Sequence, residues 1–287
     1  PQGRAVAAEP LVALEHLGGG DAEPLPGGLR GVRVLDLTRV IAGPTAGRVL
    51  AGWGAEVLRV DPPGFDEVPA LVLETTTGKR ATALDLRANG DRARFEELVR
   101  GASVMLTGYR PGALTGLGYP PERLTALRPG LVIGTLSAYG ETGPWAGRRG
   151  FDSLVQLTSG LADEARRAAG VAGPVALPAQ ALDHLTGWLL AAGVAVALRR
   201  RATAGGGHLV RTVLARTARW LDDLGRVPDG LRLPEPDAVP PMVEFDGPLG
   251  RTRHVAQPGA IGDERPLWTT PPVPLGGHEP AWATRWR

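Results

Sequence analysis

Short apolar runs and longer amphipathic stretches alternate along most of this 287-residue chain. Val32-Arg33-Val34-Leu35-Asp36-Leu37 has the length and β-branched content of a buried strand, and helical spacing follows over Pro44 to Trp53. Glu56 to Val60, Ala81 to Leu86, Val104 to Thr107 and Leu131 to Ser137 predict four more strands. Helices are predicted over Asp91 to Arg100, over Pro121 to Leu127 with Pro in its first turn, over Phe151 to Gly160 and over Leu182 to Arg200. The Gly205-Gly206-Gly207 turn introduces a strand at Leu209 to Val213 and a helix at Ala215 to Leu224. Ahead of this pattern stand one short amphipathic piece, Ala5 to Leu17, and a Gly- and Pro-bearing linker, Gly18 to Gly28. From Arg226 onward Pro and Gly dominate and the periodicity fades.

Strands alternating with helices predict an α/β fold: an open, mainly parallel sheet, Rossmann-like, with helices on both faces. Three segments follow: a leader and linker over 1–28, an α/β domain over 29–225, and an extended C-terminal tail over 226–287. The tail is expected to pack on the sheet domain or on a partner. In such sheets ligands sit beyond the carboxyl ends of the strands. The loops after Leu37, Val60, Thr107 and Ser137 are therefore the ones expected to carry function.

Composition narrows the chemistry. With 43% hydrophobic residues the chain can bury a core, and with no Cys it can use neither thiolate catalysis nor disulfides. The net charge of +2 carries no Lys/Arg run with interleaved aromatics, so no nucleic-acid partner is expected. The longest uncharged apolar run, Thr186 to Leu198, is short of the roughly 20 residues of a membrane span, so no membrane partner is expected either. No signal peptide or lipidation motif stands out, and a chain opening on Pro1 reads as trimmed or processed. A soluble cytoplasmic protein is the expectation. The first strand is followed by Thr38-Arg39-Val40-Ile41-Ala42-Gly43-Pro44, not by a dinucleotide-binding G-x-G-x-x-G turn. There is no phosphate loop of the nucleotide-hydrolase kind and no G-x-S-x-G elbow. The five His are scattered without ligand spacing, so no metal site is expected.

Two residues stand out against this background. Asp183, in Leu182-Asp183-His184-Leu185-Thr186-Gly187, opens a long apolar helix, where a carboxylate must be solvated, serve as an N-cap, or be used chemically. Lys79 is the only lysine, every other cationic position being Arg. It either persists by chance on a solvated loop or supplies a compact point charge to a phosphate or carboxylate.

Several fragments in fixed order resemble class III CoA-transferases, the CaiB–BaiF family. They are Gly31 to Thr38, Ala42-Gly43-Pro44, Gly54 to Val60, Gly78-Lys79-Arg80, Tyr109 to Leu114, Arg128 to Ile133, Ser137 to Gly140 and Thr142-Gly143-Pro144. Asp152 with Gln156, Asp183 with Thr186-Gly187, and the tail Pro272 to His278 continue the order. The resemblance implies transfer of coenzyme A between an acyl-CoA and a free carboxylic acid, with CoA as substrate and product and no metal. It places the nucleophile at Asp183, whose carboxylate would form an acyl-aspartyl anhydride. It also implies a homodimer of interlocked chains. CoA contacts are expected from Arg39, Val40, Ala42, Arg59, Lys79, Tyr109 and Arg110, and a second acid or base from Asp152 or His184.

Three departures qualify the resemblance. Racemases of the family carry His before the Asp matching Asp152; here Phe151 stands there, which disfavours an acyl-CoA racemase. Pro62-Pro63 replaces a cationic residue that several transferases place after the second strand. The usual small second domain is expected to be missing, with the leader as a substitute lobe. A non-catalytic CoA- or acyl-CoA-binding subunit is therefore the alternative to a working transferase.

Overall fold

The computed structural model describes residues 1–228, 230, 234 and 240–284. The chain opens with α1 (Gln2–Ala8) and β1 (Ala13–Gly18), where the sequence pattern predicts one amphipathic piece. Glu9-Pro10 breaks it, because Pro cannot continue a helix. The central run is β2 (Arg33–Leu37), α2 (Ala42–Gly52), β3 (Glu56–Asp61), α3 (Pro69–Thr76), β4 (Arg80–Ala83), α4 (Asn89–Arg100), β5 (Val104–Thr107), α5 (Ala113–Gly116), α6 (Pro121–Leu127) and β6 (Val132–Ser137). Then come α7 (Asp152–Ser159), α8 (Leu161–Ala169), α9 (Ala181–Ala204), β7 (Gly207–Val213), α10 (Leu214–Asp223) and a hairpin of β8 (Met242–Gly247) and β9 (Gly250–Val255).

Seven strands form one sheet in the order β1-β7-β6-β5-β2-β3-β4. Six of them run parallel, and β1 joins the β7 edge antiparallel. Residues 1–28 are thus more than a leader and linker, since they supply an edge strand. The parallel strands are buried on both faces, as β2 shows with Val34, Leu35 and Leu37. One face is covered by α2 and α9, whose Leu50, Leu190, Val194 and Leu198 pack on Val34, Val57 and Val210. The other is covered by α4 and α6, through Phe95, Leu98, Val99 and Leu124 against Leu35, Leu58 and Met105. The 24-residue α9 holds an 18-residue window with a mean hydropathy of 1.5, long and apolar enough to cross a membrane. Here 56% of that window is buried in the fold, as expected of a core helix.

The tail is less formless than its composition predicts. Val243 and Phe245 of the hairpin pack against the α2–α9 core. Trp268 is buried and donates its indole N–H to the Arg48 carbonyl at 2.9 Å; Trp282 donates to the Leu98 carbonyl at 3.1 Å. The tail therefore packs both indoles on its own sheet domain, Trp268 buried and Trp282 half-buried. Trp286 lies outside the described residues.

Candidate active site

The strand order reverses between β2 and β5, which opens a crevice at their carboxyl ends. Asp36 shapes its floor. One carboxylate oxygen accepts the Thr38 N–H at 3.0 Å and the Thr38 hydroxyl; the other accepts Lys79 Nζ at 2.7 Å. Lys79 also donates to the Pro44 carbonyl at 2.9 Å, pinning the first turn of α2 to the sheet. Gly47 lies directly over this pair, where a Cβ would collide with Asp36 and Lys79. Lys79 is fully buried; burial outweighs the attraction of Asp36 and brings its pKa down to about 8. This corrects the expectation of a phosphate contact, since the ammonium is spent inside the fold. Arg59 is corrected for the same reason. It is buried in β3 and donates to both oxygens of Asp61 at 2.7 and 3.1 Å, and to Thr75 Oγ1 at 2.9 Å.

Three of the expected cationic and aromatic groups do face the crevice region. The Arg39 guanidinium lies between the rings of Phe65 and Tyr109, at 4.5 and 4.9 Å from their centroids. Burial raises the Tyr109 pKa. Arg110 is exposed. Val40 and Ala42 bracket the entry to α2, and Val40 has φ of 68°. The chain thus brings Arg39, Val40, Ala42, Tyr109 and Arg110 to one end of the sheet and turns Arg59 and Lys79 inward.

Asp183 is the third residue of α9 and is 5% exposed. It does not cap its helix. Asp152, at the first position of α7, accepts the Asp183 backbone N–H on Oδ2 at 2.9 Å. Its Oδ1 accepts the Gln156 side-chain amide. Gln156 is locked in turn, its own oxygen accepting the Leu177 N–H at 2.7 Å. Asp152 thus caps the first turn of α9 from the head of α7. The Asp183 carboxyl makes no hydrogen bond among the described residues. Burial, and then the charge of Asp152, raise its pKa from 3.8 to about 7. His184 is half-buried and its side chain makes no hydrogen bond among the described residues. Leu182 shares an apolar cluster with Ala42, Ala138 and Tyr139, which sets the head of α9 beside the head of α2. Their backbones meet at Gly187, where any Cβ would strike the Ala42 carbonyl and Thr45.

Among the described residues no group of three His, Asp or Glu stands close enough to hold a metal ion. Two large cavities lie elsewhere. One, of about 1110 Å³, sits at the amino ends of the strands between α2, α9 and the tail; none of the candidate residues lines it. The other, of about 790 Å³, lies between α1, the loop after β6 and α10.

Three comparisons bear on this geometry. A probable fatty acyl-CoA transferase of Mycobacterium tuberculosis, Rv3272, is 33% identical over 199 residues, covering 65% of this chain and 50% of that protein. Its crystal structure matches with a TM-score of 0.64 over 70% of this chain and 57% of that one. A succinyl-CoA–L-malate CoA-transferase alpha subunit of Chloroflexus aurantiacus is 31% identical over 242 residues, covering 78% of this chain and 55% of that one. A CaiB/BaiF family protein from Brucella suis is 27% identical with a TM-score of 0.58, over 72% of this chain and 60% of that one. The chain spans about half the length of the curated relatives it matches. The six parallel strands β2 to β7, the Asp183–Asp152 pair at the helix heads and the crevice at the switch point all fall in residues 29–223, the stretch that matches the model of CoA-transferase family III, and the chain belongs to that family.

Proposed function

We propose that this chain transfers coenzyme A between an acyl-CoA and a carboxylic acid through an acyl-aspartyl intermediate on Asp183. The observation that carries the reading is the Asp183 carboxyl itself: nearly buried at the head of α9, without a hydrogen bond among the described residues, and with its pKa raised to about 7. A desolvated carboxylate is a stronger nucleophile than a hydrated one, and the α9 N-terminus favours its charge as it forms. One Asp183 oxygen attacks the thioester carbonyl, the C–S bond breaks, and CoA leaves as thiolate, giving a mixed anhydride. The thiolate then attacks the aspartyl carbonyl and releases the original acid. The incoming carboxylate attacks the aspartyl thioester and frees the thiolate again. That thiolate takes the new acyl group and restores Asp183. Arg39, Tyr109 and Arg110, at the carboxyl end of the sheet, are the groups offered to the nucleotide part of CoA. We also propose a cytoplasmic homodimer.

The second reading is a CoA- or acyl-CoA-binding subunit without turnover. Hydroxylamine added after incubation with acyl-CoA separates the two. An aspartyl hydroxamate at Asp183 supports the transferase, whereas acyl-CoA binding without hydroxamate supports the subunit. Asp183→Asn is the control, and it should lower the transfer rate by several orders of magnitude.

A further inference from the structure

Val40 is the one non-glycine residue with positive φ among the described residues, and it is β-branched. A Val side chain crowds the backbone in the left-handed region, so the surroundings must enforce that conformation. The enforcing contact is visible. Glu67, in the loop between β3 and α3, accepts the Val40 N–H on Oε2 at 3.1 Å. Glu67 is only 9% exposed, and a carboxylate so placed needs a compensating charge. Arg59 supplies it from beneath at 3.5 Å, while Asp61 and Thr75 hold Arg59 in place. A second tie joins the same loops, since Arg39, the neighbour of Val40, stacks on Phe65 two residues before Glu67 and on Tyr109 after β5. Beyond Val40, the N–H groups of Ile41, Ala42 and Gly43 donate to nothing among the described residues, and no side chain caps α2.

We propose that Glu67 is a positioning residue: backed by Arg59, it holds Val40 in its left-handed conformation and so fixes the loop between β2 and α2 in the shape that receives acyl-CoA. That acyl-CoA is the molecule received rests on the transferase reading; the clamp itself does not.

The test uses the full chain with Glu67→Ala, Glu67→Gln, Val40→Gly and the Glu67→Ala/Val40→Gly double variant. The first readout is hydrogen exchange of the Val40 amide by NMR, which needs no turnover. Glu67→Ala should speed that exchange at least about tenfold, and Glu67→Gln, which keeps an acceptor oxygen, should restore most of the protection. The second readout is steady-state kinetics with acyl-CoA. Glu67→Ala should raise KM about five- to twentyfold with kcat within about twofold, the pattern of lost ground-state positioning. Glycine adopts positive φ without strain, so in the Val40→Gly background the same substitution should change KM less than about twofold. An equal KM rise in both backgrounds, or unchanged Val40 exchange in Glu67→Ala, overturns the proposal. A wild-type protein without turnover sinks the transferase reading alone, and the exchange measurement then decides the clamp.

Discussion

At the scale of single residues, the informative quantity is what each buried charge does as pH changes. The Asp183 carboxyl titrates near pH 7 when folded and near 3.8 when not. Below pH 3.8 both states hold the proton, so Asp183 contributes no difference. Between 3.8 and 7 the unfolded chain has released it and the native state has not, so stability falls as pH rises; above 7 the full penalty remains. Asparagine cannot ionise. Asp183→Asn should therefore raise Tm over the wild type at pH 8, by on the order of 2–4 kcal/mol of stability, and make little difference at pH 4. Equal shifts at both pH values would show that Asp183 is not held up by burial. Transfer should rise with pH through about 7 as the carboxylate forms, and a flat profile from pH 5 to 9 would contradict it. Lys79→Ala strands Asp36 with only Thr38 for company, so it should cost about 3–5 kcal/mol by denaturant unfolding. Much of this was legible in the sequence. Asp183 announces itself by opening an apolar helix. Asp36 is not among the residues singled out from the sequence, although an Asp inside Val34-Leu35-Asp36-Leu37 is a signal of a buried carboxylate in need of a cation. The sequence does not say that Lys79 is that cation, because the pair lies 43 residues apart and only the β2–β3–β4 pairing brings it together.

Secondary-structure elements meet the site through close backbone approach. Gly187 lets α9 touch the first turn of α2, and both helices thereby aim their N-termini into one crevice. Gly187→Ala should lower stability by about 1–3 kcal/mol and reduce transfer with it, because the obstacle is a backbone carbonyl and not a flexible side chain. Unchanged melting would mean that α2 and α9 can part at that point without cost. Most strands and the long helices follow their hydrophobic periods, because parallel strands buried on both faces read as continuous apolar runs. Among the elements that escape that reading, α3, α8 and β8 do so for different reasons. In α3, Pro69-Ala70-Leu71-Val72-Leu73 is apolar without a face. In α8 a single apolar edge sits among charges. In β8 the Val243 and Phe245 alternation is plain, but it is surrounded by Pro and Gly. The role of Asp152 as the cap of α9 was hidden as well, since donor and acceptor lie 31 residues apart.

Over the whole molecule, apolar surface and chain ends are distributed unevenly. Ile261 and Leu267 are 71% and 61% exposed, and Leu267 shares its cavity wall with Trp53, Trp188 and Ala195. The proposed homodimer would draw on this face. Light scattering at micromolar concentration should give about twice 30.0 kDa, and a monodisperse 30.0 kDa species with full activity would remove it. The two outer parallel strands of the sheet are covered by opposite parts of the chain. β1 covers β7, and on the far side His278 takes both free backbone groups of Ala81, donating its N–H to the carbonyl at 2.8 Å and accepting the amide on Nδ1 at 3.3 Å. An open strand edge is a template for pairing with another chain. β4 is synthesised nearly 200 residues before His278, so on the ribosome this edge stays uncovered while the residues between them are made. Over that interval the β4 edge is open to mispairing, and the emergence of the His278 segment ends the exposure.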